Sequence, residues 1–394
     1  MIAKRPPMGW NTWNTFGRSI SEEVVLGAAD CLIKSGLAAK GYTYIVIDDC
    51  WSLPQRDAQG RLVPDPEKFP HGMKYIADYL HAKGLKFGMY SDVSPLTCGK
   101  FLGSAYHEYT DAMTFASWDV DFLKYDYCFH EDMNLPGDVL YKRMGLALAG
   151  CGRDILFSAC SWGADDSYQW IKETGADMWR STLDITDSFT SVRNLIQQEL
   201  VRMEYNGKGC FNDLDMLIVG MNGEGNVALG GCTSEEYALH FAFWCLFGSP
   251  LMIGADPRKM DQSAIDLLSN DTLIRIDQDS AYRQPYFLEA LEKNTERTAD
   301  QPYYKDYPLD TPFLARTLDD GTIALGLFNL SEESVTKTAD AERMGLAPDC
   351  PKHFVARDAF TGETMPFADG KFTVTCAPHT CKVYIVSLCD GSKN

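Results

Sequence analysis

Carboxylates recur where short, apolar, strand-like runs of the chain end. The acids at or just after these ends are Asp48, Asp49, Asp92, Asp126, Asp184 and Asp187. A single aspartate after a strand is commonly only the N-cap of the next helix. Acids at four strand ends favour a different interpretation, because the carboxyl ends of the strands of a parallel barrel converge on one rim. The pattern therefore predicts a cup lined with carboxylates.

Asp126 is the strongest candidate for chemistry among these acids. Lys124 lies two positions before it, so the two side chains point to the same side of a strand. A lysine beside a carboxylate favours the ionised form, which a nucleophile or an electrostatic stabiliser needs. Because the flanking Phe122, Leu123 and Tyr125 are apolar or aromatic, we expect this pair to be buried rather than an ordinary surface ion pair.

The reaction that suits such a cup is hydrolysis of a glycosidic bond. One carboxylate attacks the sugar, and a second protonates the departing oxygen. Aromatic side chains near the acids would stack on the C–H faces of a sugar ring, and packing in the core is their alternative role. The candidates for this stacking are Trp10, Trp13, Trp51, Tyr90 and Trp162.

The amino-acid composition limits which partners the protein is expected to bind. The 394 residues include 55 acidic and 36 basic side chains, which gives a net charge of −19. Such a surface repels phosphate backbones and anionic lipid, so we expect neither a nucleic-acid nor a membrane partner. The seven histidines never occur at HxH or HExxH spacing and no CxxC is present, so we expect no metal site. Residues 1–7 lack the apolar core of a signal peptide, which predicts a cytoplasmic protein, or a secreted one if a leader has been removed.

Secondary-structure patterns up to about residue 280 alternate between short β-rich runs and longer helical segments, which is typical of βα units around a parallel sheet. The predicted strands are 8–10, 44–48, 86–90, 121–125, 154–158, 176–179, 216–219 and 251–254. The predicted helices are 21–34, 72–83, 111–118, 138–149, 188–203 and 234–247, with Ser21 and Ser234 as N-caps. Eight βα units predict a (β/α)8 TIM barrel rather than an open sheet.

The C-terminal region has a different character, because helical periodicity is weak there. The predicted strands are 313–317, 322–329, 352–358, 371–375 and 380–387, which indicate a small antiparallel β-sandwich. We therefore predict a catalytic barrel over residues 1–285, a connecting segment over 286–311 and an antiparallel β domain over 312–394. Residues 279–311 contain three prolines and many tyrosines, and they receive no role beyond that of a linker or loop.

Five motifs carry a resemblance to a known family. They are MGWNTW (8–13), IDDCW (47–51), FLKYDYC (122–128), WRSTLDI (179–185) and FNDLDM (211–216). By these motifs the chain resembles glycoside hydrolase family 27, the α-galactosidases and α-N-acetylgalactosaminidases of the melibiase clan. The resemblance is strong over about residues 5–280 and concerns only the general architecture beyond. It implies a barrel followed by a β domain, and hydrolysis with retention of configuration and without any cofactor.

The motifs also suggest roles for single residues. Asp126 is similar to the family's nucleophile and Asp184 to its acid/base. Asp48 and Asp49 resemble the pair that binds the 4- and 6-hydroxyls of galactose. The other residues expected in the sugar pocket are Trp13, Tyr90, Cys98, Lys124, Cys160, Ser161, Trp162, Arg180, Asp213, Asp215 and Met216.

The cysteines both match the family and depart from it. Cys98 and Cys128 match a disulfide beside the nucleophile, and two thiols are the alternative in a reducing cytoplasm. Relatives from secretory compartments pair the cysteine at the position of Cys50 with one after the first motif, and residues 16–20 contain none. Cys160 likewise lacks the partner that animal members carry. The missing partners favour an intracellular, bacterial protein.

The loop after the fifth strand selects between a 2-hydroxyl and a 2-acetamido group in this family. Ser161 and Ala164 resemble the small side chains that make room for an acetamide in the animal N-acetylgalactosaminidases. The short segment from Cys160 to Trp179 instead resembles the plant galactosidases, where Cys160 and Trp162 would fill that space. Because loop length governs the backbone path, we predict release of terminal α-linked galactose, with N-acetylgalactosamine as the alternative.

Two other classes of function compete with the hydrolase. A non-catalytic sugar-binding protein on the same barrel is disfavoured because both acids of the catalytic pair are present. A metal-dependent hydrolase that uses the acid cluster would lose activity with EDTA, and the scarcity of histidine weighs against it. The group attached to the sugar and the oligomeric state, a homo-oligomer included, stay open.

Overall fold

The computed structural model describes residues 2–293, 295–296 and 307–389. Contacts between Cα atoms divide the chain into two compact units. The first comprises Met1–Ser188, Lys208–Gly231 and Pro250–Ser269, and the second comprises Phe189–Gly207, Cys232–Ser249 and Asn270–Asn394. Residue 294 and residues 297–306 of the predicted connecting segment lie outside the described part of the chain.

The first unit contains a parallel sheet of eight strands. They are β1 Met8–Asn11, β2 Tyr44–Val46, β3 Lys86–Asp92, β4 Phe122–Asp126, β5 Leu156–Cys160, β6 Met178–Arg180, β7 Phe211–Asp213 and β8 Leu251–Ile253. Strand β1 pairs with both β2 and β8, and the order then runs from β2 to β7. The amide of Leu217 donates to Met252 O at 2.7 Å and Gly254 N donates to Leu217 O at 2.9 Å. These bonds join the segment after β7 to β8, as the predicted TIM barrel requires.

Close packing of the strands accounts for one glycine of the first motif. A Cβ atom on Gly9 of β1 would lie 2.2 Å from Tyr44 O in β2. Any larger residue would push the two strands apart, so only glycine fits at this position.

The described residues contain ten α-helices, of which six were predicted to within a few residues at each end. They are α1 Trp13–Phe16, α2 Glu22–Lys34, α3 Leu37–Lys40, α4 Gly72–His81, α5 Glu108–Ser117, α6 Gly137–Gly150, α7 Phe189–Leu200, α8 Ser234–Phe247, α9 Gln262–Leu268 and α10 Asp271–Asp277. The 3₁₀ turns are His130–Met133, Ala164–Gln169, Ile171–Thr174, Met203–Tyr205 and Glu342–Met344. Helices α1, α3, α9 and α10 were not predicted, because four or seven residues are too few for a clear period. None of the helices in the described residues has the length and apolar character needed to span a membrane.

The seventh strand lies earlier than predicted. The structure places β7 at Phe211–Asp213, and the prediction of a strand over 216–219 is wrong. The backbone of Asp215 has φ +80°, a left-handed conformation that ends the strand before the apolar run begins. Residues 216–219 are buried, but within the described residues only Leu217 pairs with a strand.

The two predicted helix starts differ in outcome. Ser21 caps α2 as expected, since its side chain accepts a hydrogen bond from Val24 N. The prediction of Ser234 as the cap of α8 is wrong by one residue. Thr233 accepts from Glu236 N, and the Glu236 carboxylate accepts from Thr233 N, which is a complete capping box.

The second unit contains the antiparallel strands. They are β9 Tyr286–Phe287, β10 Phe313–Thr317, β11 Ile323–Asn329, β12 Val335–Asp340, β13 His353–Asp358, β14 Thr364–Pro366, β15 Lys371–Cys376 and β16 Thr380–Cys389. Six of them form a sheet in the order β9-β10-β11-β16-β13-β14, and β12 pairs with β15. Apolar residues of both sheets, among them Leu325 and Val386 of one and Phe372 and Val374 of the other, share one core. This is the predicted β-sandwich. Strand β12 was missed because it is largely polar and alternate residues face solvent.

Candidate active site

The carboxyl ends of the barrel strands carry the predicted acids to one rim. Parallel pairing sets Asp92 beside Asp126, Asp126 beside Cys160, and Arg180 beside Asp213. A cavity of about 160 Å³ opens at this rim. Its lining residues are Trp13, Asn14, Asp48, Asp49, Tyr90, Cys98, Lys124, Asp126, Trp162, Arg180, Asp184, Ile185, Thr186, Asp215, Met216 and Val227.

Three predicted residues do not line the cavity. Asp213 lies behind it and accepts a hydrogen bond from Asp215 N at 2.9 Å. Cys160 contacts Arg180 through its sulfur, 3.7 Å from Nη1. Ser161 is fully buried, and its Oγ has no hydrogen-bond partner in the described residues. These three residues contact or adjoin lining residues but are not part of the lining itself.

Two of the candidate aromatic walls belong to the core instead. Trp10 is fully buried, and its Nε1 donates to Ala255 O at 2.9 Å. Trp51 packs edge-on against Trp118 and donates to Tyr90 O at 3.0 Å. Their expected role as sugar-facing walls is therefore wrong, because both rings are oriented by partners within the protein.

Asp126 lies at the end of β4 and is almost completely buried. Tyr90 Oη donates to its Oδ2 at 2.9 Å, and Tyr127 N donates to its Oδ1 at 3.0 Å. Burial raises the pKa of Asp126 to about 6, while the Lys124 charge lowers it and the Asp184 charge raises it. Two donors thus fix the carboxylate in place. Its pKa reflects burial and the Asp184 charge, which disfavour ionisation, against the Lys124 charge, which favours it.

Lys124 makes its ion pair with a different acid from the one we expected. Its Nζ lies 2.8 Å from Asp48 Oδ2, so its charge acts on Asp126 without a direct contact. Asn11 Nδ2 also donates to Asp48 Oδ2, at 2.7 Å. Burial lowers the pKa of Lys124, but the Asp48 and Asp126 charges outweigh it and hold the pKa well above its usual value.

Asp49 is held by the loop that follows β3. Gly99 N donates to its Oδ2 and Cys50 N to its Oδ1, both at 2.6 Å. Burial raises the pKa of this carboxyl, and the backbone donors oppose that shift. Asp48 and Asp49 are thus neighbouring, preoriented acceptors on the wall of the cavity, suited to the hydroxyls of a sugar.

Arg180 organises the opposite side of the cavity. Its Nη2 lies 2.9 Å from Asp184 Oδ1 and 3.0 Å from Asp215 Oδ2. Burial lowers the pKa of Arg180, but the Asp215 charge and other negative groups hold it above its usual value. Asp215 in turn accepts from Ile185 N at 2.7 Å. The side chain of Asp184 is 74% exposed, whereas that of Arg180 is 4% exposed, so Asp184 is the solvent-facing member of this ion pair.

Asp92 is one of the strand-end acids, but it is not among the residues predicted for the sugar pocket. It is fully buried and accepts from Ser94 N at 2.9 Å and Cys128 N at 3.1 Å. Burial, followed by the charge of Asp126, raises its pKa well above the usual value. Its position at the end of β3 was the available signal. Asn14, Ile185, Thr186 and Val227 also line the cavity. Of these, only Ile185 falls in one of the five motifs, and none was predicted as a site residue.

The predicted disulfide is present. Cys98 and Cys128 are bonded, with their Cα atoms 5.2 Å apart, while Cys50 and Cys160 are free thiols. The described residues contain one group of potential metal ligands. Its ligand atoms lie within 4.8 Å of one another and belong to Asp92, Cys98, Asp126 and Cys128. The disulfide engages both sulfurs, so this group offers a metal only the two carboxylates.

The arrangement as a whole suits attack on a sugar from one side and proton transfer from the other. Asp126 is buried and held by two donors, and Asp184 is exposed and held by Arg180 alone among the side chains shown to contact it. Asp48 and Asp49 provide fixed acceptors in the same cavity. Two carboxylates in unlike environments can divide the roles of nucleophile and acid.

Comparisons with known proteins agree on one family. The family described as alpha galactosidase A matches residues 5–279, and the one described as alpha galactosidase C-terminal beta sandwich domain matches residues 310–386. An alpha-galactosidase of Cyamopsis tetragonoloba is 40% identical over 387 residues, covering 98% of this chain and 87% of the relative.

Solved structures give the same result. Alpha-galactosidase I from Mortierella vinacea superimposes with a TM-score of 0.86 at 30% identity and covers 99% of this chain and 98% of its own. An alpha-galactosidase from Saccharomyces cerevisiae, solved with raffinose, superimposes with a TM-score of 0.84 at 26% identity and covers 98% of each chain.

Proposed function

The chain belongs to the melibiase family of alpha-galactosidases, and we propose that this hydrolase releases terminal α-linked D-galactose with retention of configuration. The observation that carries the proposal is the pairing, in one cavity, of a buried carboxylate on Asp126 with an exposed one on Asp184. The yeast relative solved with raffinose, an α-galactoside, supports the same class of substrate.

In the first step Asp126 attacks the anomeric carbon while Asp184 protonates the departing oxygen. The Tyr90 hydroxyl and the Tyr127 amide hold the attacking carboxylate in place, so little reorientation is needed. The product of this step is a galactosyl ester on Asp126, with inverted configuration at the anomeric carbon.

In the second step Asp184, now a carboxylate, takes a proton from water. The water attacks the anomeric carbon, and the bond to Asp126 breaks, which frees the Asp126 carboxylate. The two inversions together retain the α configuration. Arg180 stabilises Asp184 as an anion after its proton has left and holds its side chain toward the opening.

Sugar selection rests on the fixed acceptors and the walls of the cavity. Asp48 and Asp49 would accept hydrogen bonds from the 4- and 6-hydroxyls, and Lys124 would donate to a neighbouring ring hydroxyl. Trp162 lines the cavity, which favours galactose over its bulkier 2-acetamido analogue. Release of N-acetylgalactosamine is the alternative activity, because the small side chains of Ser161 and Ala164 would leave room for an acetamide group.

The decisive test compares nitrophenyl α-galactoside with nitrophenyl α-N-acetylgalactosaminide. We expect a higher kcat/KM for the galactoside, and a clear preference for the second substrate would select the alternative.

In Asp126→Asn we expect kcat to fall by about a thousandfold or more, because the nucleophile is lost. Asp166→Asn, a nearby exposed acid outside the cavity, is the control. An Asp126→Asn protein that keeps the parent rate would exclude the proposed nucleophile.

A second test addresses the acid/base. Asp184→Ala should retain attack on an activated aryl galactoside, because such a leaving group needs little protonation. Added azide should then restore turnover by attacking the galactosyl ester in place of water, and it should yield the α-galactosyl azide. Formation of the β-azide would contradict double displacement through Asp126.

The proposed chemistry needs no metal and no organic cofactor, since the two carboxylates supply both the nucleophile and the proton. We expect EDTA to leave the rate unchanged. An intracellular, bacterial setting and the domain boundaries at residues 285 and 312 stay predictions.

A further inference from the structure

We propose that Asp165 is a positioning residue that holds the Trp162 wall of the cavity against Tyr127. The inference rests on the proposed function, because its main readout is turnover of a galactoside. Trp162 lines the cavity, and Asp165 follows three residues later in the loop after β5.

Tyr127 connects the nucleophile to this loop. Its backbone N–H donates to Asp126 Oδ1 at 3.0 Å, and its hydroxyl donates to Asp165 Oδ2 at 2.6 Å. The Trp162 ring stands edge-on to the Tyr127 ring, with centroids 6.3 Å apart. One residue therefore contacts both the attacking carboxylate and the loop that carries Trp162.

Tyr127 is itself held rigidly. The His130 ring stacks on it at 3.7 Å and 9°, and the Tyr141 ring packs at 5.5 Å. A Cβ atom on Gly137 would lie 2.4 Å from the Tyr127 hydroxyl, so the absence of a side chain there makes room for that hydroxyl. Because the ring has little freedom, the hydroxyl is a fixed anchor for the loop.

The loop has a backbone that needs such an anchor. Trp162, Asp165 and Asp166 have φ of +55°, +51° and +49°, a left-handed conformation that is unfavourable for residues other than glycine. Strain of this kind persists only where the surroundings hold the backbone in place. Two further contacts hold Asp165: Trp170 Nε1 donates to its backbone O at 2.8 Å, and His130 Nε2 lies 3.7 Å from its Oδ2.

The hydrogen bond from Tyr127 to Asp165 differs from an ordinary surface contact. The Asp165 side chain is 53% exposed, but Tyr127 is fully buried. Burial, followed by the bond to Asp165, raises the pKa of Tyr127, so the hydroxyl keeps its proton and stays the donor. A charged acceptor makes this one of the stronger kinds of hydrogen bond.

The experiment compares Asp165→Gly with Asp166→Gly and Tyr127→Phe. Glycine relieves the left-handed strain equally at both neighbouring positions, but only Asp165→Gly removes the acceptor of Tyr127. We expect KM for nitrophenyl α-galactoside to rise about three- to tenfold in Asp165→Gly and in Tyr127→Phe, with kcat changed less than about twofold. Asp166→Gly should keep the parent KM, because its carboxylate makes no hydrogen bond to another described residue.

Equal KM values in Asp165→Gly and Asp166→Gly would overturn the inference. A fall in kcat with unchanged KM would also overturn it, since that result requires a role in the transition state rather than in holding the wall. If the parent protein cleaves no galactoside, the proposed function fails, and amide hydrogen exchange then tests the positioning role alone. Residues 161–166 should exchange faster in Asp165→Gly and Tyr127→Phe than in Asp166→Gly, and equal exchange would exclude the role.

Discussion

Asp126 shows how single contacts set the reactivity of a carboxylate. Burial opposes its ionisation, while the Lys124 charge and the Tyr90 hydrogen bond favour it, and the resulting pKa is about 6. The proposed attack needs the ionised form. Activity should therefore be present above this pKa and be lost as the pH falls through it, giving the acidic limb of the kcat/KM profile.

Replacing Tyr90 with phenylalanine tests this balance at the scale of one hydroxyl. The Tyr90 hydrogen bond stabilises the ionised carboxylate, so its removal should raise the pKa of Asp126 and move the acidic limb upward by roughly half a pH unit. The measurement is kcat/KM against pH. Tyr141→Phe is the matched control, because this buried hydroxyl donates to Tyr125 O rather than to Asp126. An acidic limb that stays in place or moves downward in Tyr90→Phe contradicts the assignment.

At the scale of elements, local backbone chemistry fixes where helices and strands end. Helix α8 is apolar almost throughout and nearly all of its residues after the first turn are buried, so its sequence shows no amphipathic stripe to mark its start. The capping box of Thr233 and Glu236 supplies that start. In β7 the left-handed backbone of Asp215 similarly ends a strand that the apolar pattern alone would extend.

Helix α8 allows the two candidate caps to be compared directly. Thr233→Ala removes the acceptor for Glu236 N and should lower the free energy of unfolding by about 1 kcal/mol. Ser234→Ala, at the first helical residue, should change it by less than about 0.5 kcal/mol. Urea unfolding monitored by circular dichroism measures both. A larger loss of unfolding free energy in Ser234→Ala than in Thr233→Ala would support Ser234 as the cap, as predicted from the sequence.

At the scale of the whole molecule, buried acids couple stability to pH. Burial raises the pKa of Asp213 to about 7 and that of Asp126 to about 6, both above the value near 3.8 of a free side chain. A carboxyl of this kind stabilises the fold fully below its unfolded pKa, and that contribution is lost as the pH rises through the folded pKa. The net charge of −19 at pH 7 adds repulsion in the same direction.

We therefore expect the urea midpoint to fall as the pH rises from about 5 to about 8. Asp213→Asn should flatten this dependence, because an amide does not ionise and can still accept the hydrogen bond from Asp215 N. Asp78→Asn, at a side chain that is 61% exposed, should leave the slope unchanged. A slope in Asp213→Asn equal to that of the parent would show that Asp213 does not carry this effect.

The sequence by itself determined the architecture and most of the candidate site. Alternating strand and helix patterns were enough for the barrel and the β-sandwich, because burial imposes a fixed period on each kind of element. Acids at strand ends marked Asp48, Asp49, Asp126 and Asp184, since parallel strands must bring their carboxyl ends to one rim.

Only the tertiary structure decided which groups contact one another there. In the structure Lys124 forms its ion pair with Asp48, and Asp213 and Cys160 lie outside the cavity lining. The Tyr127 hydroxyl donates to Asp165. These contacts depend on loop paths and on left-handed residues whose conformations are set by packing and hydrogen bonds from distant segments. The periodicity of a sequence indicates which face of an element is buried. It does not indicate which partner a polar side chain contacts across a loop.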